Sequence, residues 1–115
     1  RTDLIISGGE NIYPKEIEDT VYAMQGVKEC AVIPVPDAKW GQVPALFLAF
    51  DDIDALGTDL EMIVRGYISS KLAKYKVPKY ITIMDALPRN GTGKILRKSL
   101  ASYLDMTETN GGSHE

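Results

Sequence analysis

Leu4-Ile5-Ile6-Ser7-Gly8-Gly9-Glu10-Asn11-Ile12-Tyr13-Pro14-Lys15-Glu16-Ile17-Glu18 changes its pattern twice. Leu4 to Ile6 is a short apolar run of β type. Ser7 to Asn11 is glycine-rich and polar, a turn signal. Pro14 suits the first helical position, where its missing N–H leaves no bond unmade. Glu16, Glu18 and Asp19 place negative charge near the positive end of that helix. Ile17, Val21 and Met24 fall at i, i+4 and i+7, one apolar stripe, and Gly26 suits a C-cap. A strand that passes through a glycine turn into an amphipathic helix opens an α+β arrangement.

Outward from this stretch, Glu29 to Val35 reads as a strand whose prolines, Pro34 and Pro36, push its end toward an edge or a bulge. Ala45 to Phe50 reads as a second strand, and Asp37 to Pro44 as the loop between them, carrying Trp40. Asp51 to Gly57 is an acidic surface connection. Thr58 and Glu61 form a capping box. Leu60, Ile63, Val64, Tyr67, Ile68 and Leu72 then recur at helical spacing, with Lys71 and Lys74 near the C-terminus and Pro78 as the stop. Tyr80 to Met84 is a third strand. Pro88 to Gly93 is a loop, and a last helix is expected over Leu96 to Leu104 with Leu96, Leu100 and Tyr103 inward. The order β, α, β, β, α, β, loop, α predicts a compact α+β domain over residues 1–104, a small mixed β-sheet flanked by helices. Residues 105–115 read as a disordered tail.

Composition narrows the classes of function. The chain has 115 residues, 44% hydrophobic and 25% charged, with a net charge of −3, the profile of one globular domain. An acidic balance is poor for a general nucleic-acid binder. The single cysteine, Cys30, cannot form an internal disulfide, which points to a reducing, cytoplasmic setting. The only histidine, His114, is in the tail, so no cysteine and histidine cluster can hold zinc and no metal ligand set is expected. No apolar run reaches the roughly 20 residues of a membrane helix. The chain begins at Arg1 without an initiator methionine and is expected to be a fragment.

Four features are candidates for chemistry. Gly91-Thr92-Gly93-Lys94 puts a mobile point charge at the end of a flexible loop, a device for phosphate, although such a loop can equally be a surface turn. It is no P-loop, because position 88 is Pro and position 95 is Ile, where that motif needs Gly and Ser or Thr. Ser7-Gly8-Gly9-Glu10-Asn11 precedes a helix N-terminus, a place that suits anions, or is a plain tight turn. Trp40 lies in a polar loop, against a ligand or against the domain's own core. Two basic clusters, Lys71, Lys74, Lys76 and Lys79, and Arg89, Lys94, Arg97 and Lys98, are solvated faces or would suit a multiply phosphorylated partner. No Ser/His/Asp or Cys/His set exists, and Glu16 and Glu18, two apart on a helix, point different ways.

Three stretches together resemble the adenylate-forming superfamily of acyl-CoA synthetases. They are Asp3 to Glu18; Pro36-Asp37 with Trp40-Gly41-Gln42-Val43-Pro44; and Pro88-Arg89-Asn90-Gly91-Thr92-Gly93-Lys94-Ile95-Leu96-Arg97. The first two, with Leu72-Ala73-Lys74-Tyr75-Lys76-Val77-Pro78, look most like the o-succinylbenzoate–CoA ligase branch of menaquinone synthesis. The resemblance implies the small, mobile C-terminal domain of an enzyme that joins a carboxylic acid to CoA through an acyl-adenylate, with ATP, Mg2+ and CoA as cofactors. Its partners would be a large N-terminal domain, CoA and the acid, with no nucleic acid and no membrane span, and the isolated fragment would be inactive. By the same resemblance Lys94 is the catalytic lysine, Gly91, Thr92 and Gly93 form its phosphate-binding loop, and Thr2 and Asp3 lie at the hinge. Gly8, Gly9, Glu10, Trp40 and Tyr75 would contact CoA. Val77 stands where some relatives have a phosphate-binding arginine, a role that Lys74, Lys76 or Lys79 would have to fill. Other readings are a fatty-acyl or aryl-CoA ligase domain, an adenylation domain serving a carrier protein, and a non-catalytic interaction module.

Overall fold

The computed structural model describes residues 4–52 and 59–111, and the side chains of 4–52 and 59–104. The first turn signal becomes a hairpin. Strands β1 (Ile5–Ser7) and β2 (Glu10–Ile12) pair antiparallel, with Ile5 opposite Ile12. Gly8 and Gly9 both have positive φ, 57° and 88°, the requirement of a tight turn that matches strand twist. The expected turn thus includes a second strand, because residues after Gly9 pair straight back on β1.

Helix α1 (Pro14–Tyr22) begins at Pro14 as expected and buries Pro14, Ile17 and Val21. It ends three residues before Gly26, at the cap Ala23. Gly26, at φ 91°, serves the turn into the next strand, where its carbonyl accepts from the Asp51 N–H at 2.8 Å.

The main sheet has the order β3-β4-β5. Strands β3 (Val27–Asp37) and β4 (Gly41–Phe50) form one long antiparallel hairpin, and β5 (Tyr80–Ile83) joins β4 in parallel. The sheet is mixed, as expected, and both strands of the hairpin exceed their expected lengths. The eight-residue loop shrinks to Ala38–Trp40, because Val35 and Pro36 pair with Val43 and Gln42. β3 is an edge strand, where prolines are tolerated, and its Pro34 stands opposite Pro44 of β4, one residue before the stretch of β4 that pairs with β5.

Two cores follow from period two. Cys30, Val32, Leu46, Leu48 and Phe50 face one way, onto Ile5, Ile12, Ile17, Val21, Val64 and Ile68. Ala31, Ile33, Val35, Val43, Ala45, Phe47 and Ala49 face the other, onto Leu87, Leu100 and Leu104. β4 is an unbroken apolar run because it is covered on both faces. Each fully buried aliphatic side chain contributes about 1.5–3 kcal/mol of transfer free energy.

Helix α2 (Leu60–Lys71) buries Val64 and Ile68, while Ile63 is exposed. Thr58 of the expected capping box lies outside the described residues. Asp59 is the N-cap, at φ 57° and without a side-chain bond, and Glu61 binds Arg65 at 3.1 Å. The helix stops at Lys71, ahead of Pro78, and a single 3-10 turn follows at Lys74–Lys76. Helix α3 (Arg97–Gly111) runs past the expected end at Leu104 into the stretch expected to be a tail. Leu100 and Leu104, four apart, are buried. Leu96 precedes the helix, and Leu96 and Tyr103 are more than a third exposed, against expectation. His114 lies outside the described residues. No described helix is long and apolar enough to cross a membrane.

Candidate functional site

The β1–β2 turn, the β3–β4 turn and the segment after α2 meet around a groove of about 780 Å³. Val43, Pro44 and Val77 supply apolar surface, Trp40 and Tyr75 the aromatics, and Glu10, Lys74 and Lys79 the charge. Trp40 and Tyr75 are 47% and 43% exposed, so neither ring is spent on the core.

Asp37 organises the Trp40 turn. One carboxylate oxygen accepts from the Lys39 and Trp40 N–H groups at 3.1 and 2.9 Å, and the other accepts from Lys79 Nζ at 2.7 Å. The Lys79 ammonium and these N–H donors hold the Asp37 pKa below its ordinary value. The Gly8 N–H donates to the Trp40 carbonyl at 2.8 Å, and a Cβ on Gly8 would stand 2.6 Å from the indole Cε3. The glycine is required there twice, by its φ of 57° and by the ring against it. Gly8, Glu10, Trp40 and Tyr75, expected together, are together on the groove; Gly9 is at the hairpin tip with open space around it.

The Lys94 loop is elsewhere. Arg89 and Ile95 bridge antiparallel. Asn90 Oδ1 accepts from the Thr92 N–H and hydroxyl and from the Lys94 N–H, at 3.0, 2.7 and 3.0 Å. Gly93, at φ 88°, closes the turn. Lys94 is exposed, and among the described residues no carboxylate lies within ion-pair distance of it. The loop is tied to the head of β3 through Glu29, whereas the groove is built on Asp37 at its other end. Glu29 and Asp37 are eight positions apart on β3, about 26 Å of extended strand. Thr2 and Asp3 lie outside the described residues.

Half of the eight residues in the two basic clusters are paired with carboxylates. Arg89 pairs with Glu29, Arg97 with Glu18, Lys76 with Glu16 and Lys79 with Asp37. Glu16 and Glu18 do turn to different partners, Lys76 and Arg97. Lys71, Lys74, Lys94 and Lys98 are exposed and enter none of these pairs.

Glu29 and Asp37 escaped the sequence reading. The signal for Glu29 was present: in the β3 alternation it shares a face with Ala31, Ile33 and Val35, an inward position for a carboxylate. It is 6% exposed. Its oxygens accept from the Leu87 N–H at 2.8 Å and from Arg89. Burial raises its pKa, and these donors outweigh burial and hold it below the ordinary carboxylate value. Cys30, also buried, has its thiol pushed up to about 12 by burial and by the nearby Glu18. Among the described residues no group of three or more His, Cys, Asp or Glu side chains could hold a metal.

Against known families, residues 16–94 match the model of the AMP-binding enzyme C-terminal domain. The chain belongs to that family. As an AMP-binding C-terminal domain it is 56% identical, over 87% of its length, to the 2-succinylbenzoate–CoA ligase of Lactococcus lactis, covering 21% of that protein. Among solved structures it is similar to o-succinylbenzoate CoA synthetase (MenE) of Bacillus subtilis in complex with the acyl-adenylate intermediate OSB-AMP. That match has a TM-score of 0.72 and 41% identity, over 87% of this chain and 20% of that one. A fatty acyl CoA synthetase of Mycobacterium tuberculosis gives a TM-score of 0.77 and 42% identity, over 92% and 20%. The AMP-binding C-terminal domain described here thus spans about a fifth of the relatives it matches.

Proposed function

We propose that this chain is the C-terminal domain of an AMP-forming acid–CoA ligase that acts on o-succinylbenzoate in the cytoplasm. The observation that carries the reading is that Lys94 does not line the groove: its loop is bonded to Glu29 near one end of β3, while the groove is built at Asp37 at the other. A domain with two unlike surfaces serves two steps by presenting one at a time, turning about a hinge near Thr2 and Asp3. The family match and the likeness to 2-succinylbenzoate–CoA ligase support the choice of reaction and acid.

In the first step the acid's carboxylate oxygen attacks the α-phosphorus of ATP and displaces pyrophosphate. Lys94, on an exposed loop where no carboxylate among the described residues pairs with it, supplies fixed positive charge where negative charge develops. In the second step the CoA thiol sulfur attacks the acyl carbon, AMP leaves, and the thiol proton is released. The groove fits the cofactor's slender arm: Gly8 leaves room beside Trp40, Val43 and Pro44 offer apolar wall, and Lys74 stands at the rim for a phosphate. Magnesium would be held with ATP by the large domain; among the described residues of this chain no group of three or more His, Cys, Asp or Glu side chains could hold it.

The test offers the full-length ligase ATP, magnesium and CoA with o-succinylbenzoate, several benzoates and several fatty acids, and follows AMP and thioester. A strong preference for o-succinylbenzoate supports the reading, and preference for another acid moves the substrate. Transfer to a carrier protein in place of CoA, or no turnover with any acid, overturns it. The 115-residue chain alone should release no AMP.

A further inference from the structure

We propose that Arg89, held by the buried Glu29, is a positioning residue that fixes the backbone carrying Lys94 and so sets the rate of the adenylation step alone. The inference rests on the two-step reading above. Asn90 shapes the loop by bonds that stay within the loop. Such bonds give it a form without orienting it on the sheet. Leu87 and Arg97 fix the loop's two flanks to β3, and within the loop itself the bond to the sheet runs through Arg89. One arm of its guanidinium pairs with Glu29, and the other, Nη1, donates to the carbonyl of Gly93 at 2.5 Å, one peptide bond from Lys94.

Both ends of this link are suited to the task. Glu29 is rigid, 7% exposed at its side chain and locked by the Leu87 N–H. Gly93 is the loop's pliable point, at φ 88°, where an untethered backbone has many conformations. A guanidinium is a planar fork that can satisfy two acceptors in fixed geometry, which an ammonium cannot match. Arg89 is itself 44% exposed and makes no contact with the groove. Its effect on chemistry would run through Lys94, and the groove half of the domain should not feel it.

The experiment compares Arg89→Lys, Arg89→Ala, Glu29→Gln and the reference Lys94→Ala in the full-length ligase. Two rates are measured: pyrophosphate release from acid and ATP, and thioester formation from pre-made acyl-adenylate and CoA. Displacement of a reacting group by about 1 Å costs on the order of 10²-fold. Arg89→Lys and Arg89→Ala should therefore lose about 10- to 100-fold in the first rate and stay within about 3-fold in the second. Arg89→Lys keeps one charged bond to Glu29, so it reports on the loop even if Arg89→Ala or Glu29→Gln folds poorly. A purely structural role would lower both rates together, since one domain serves both. Equal losses in Arg89→Lys, or an unchanged first rate, overturn the inference. If Lys94→Ala also fails to separate the two rates, the two-step reading has failed; if Lys94→Ala separates them and Arg89→Lys does not, only the role of Arg89 has.

Discussion

Gly8 and Trp40 touch so closely that a single methyl group would not fit between them: a Cβ on Gly8 would lie 2.6 Å from the indole. Gly8→Ala must therefore move the ring, and it also forces an L-residue to φ 57°, at about 1–2 kcal/mol. Trp40 is the only tryptophan, so its emission reports the displacement directly. Gly9→Ala, at φ 88° with open space around it, should cost similar backbone strain and leave the emission unchanged. Identical spectra for the two variants would mean that the indole is not held by Gly8.

Lys94→Ala in the full-length ligase should lower adenylation by about 10²-fold or more, the scale of removing one electrostatic stabiliser from a transition state. Thioester formation from pre-made acyl-adenylate should stay near wild type, because the loop and the groove are built on opposite ends of β3. Separate assays of the two half-reactions check this. Parallel loss of both would remove Lys94 from the role proposed for it.

Acid should weaken the fold through Glu29. Its folded pKa is lowered by the Leu87 and Arg89 donors. The ionised form is thus favoured in the native state. That stabilisation is complete above the unfolded value near 4.5 and is lost as pH falls through the lower folded value. Glu29→Gln should flatten the acid limb of a denaturant-midpoint profile of the 115-residue chain. At pH 7 it should cost about 1–3 kcal/mol, the penalty for weakening buried hydrogen bonds to a charged group. A variant profile parallel to wild type below pH 4.5 would show that Glu29 does not carry the acid sensitivity.

Cys30 should be inert in the folded chain. It is buried, and burial and the Glu18 charge raise its pKa to about 12, so almost no thiolate exists at pH 8. A thiol reagent should label it only as fast as the domain opens, and a fully denatured sample should react at once. Rapid labelling of the native chain would contradict the packing of β3 against α1.

Much of this protein could be read locally. The strands and helices follow from periods of two and 3.6 carried by contiguous residues, and the three motif stretches are contiguous as well. The failures were at ends and joins. β2 was hidden because three residues carry too little pattern, and the β3–β4 loop looked long because Gln42, Val43 and Pro44 resemble a loop until paired. Gly26 looked like a cap, although helix α1 had already ended.

What the chain alone determined was therefore most of the elements, the glycine turns and the lysine loop, since each depends on neighbours in sequence. Tertiary structure decided which distant groups meet. The groove draws on residues near 8, 40 and 75, and Glu29 finds Arg89 across 60 positions. It also decided which charges remain available. Arg89, Arg97, Lys76 and Lys79 are paired, while Lys71, Lys74, Lys94 and Lys98 are exposed and enter no such pair. Pairing of charges is a matter of a few ångströms in space, and no periodicity along a chain encodes that distance.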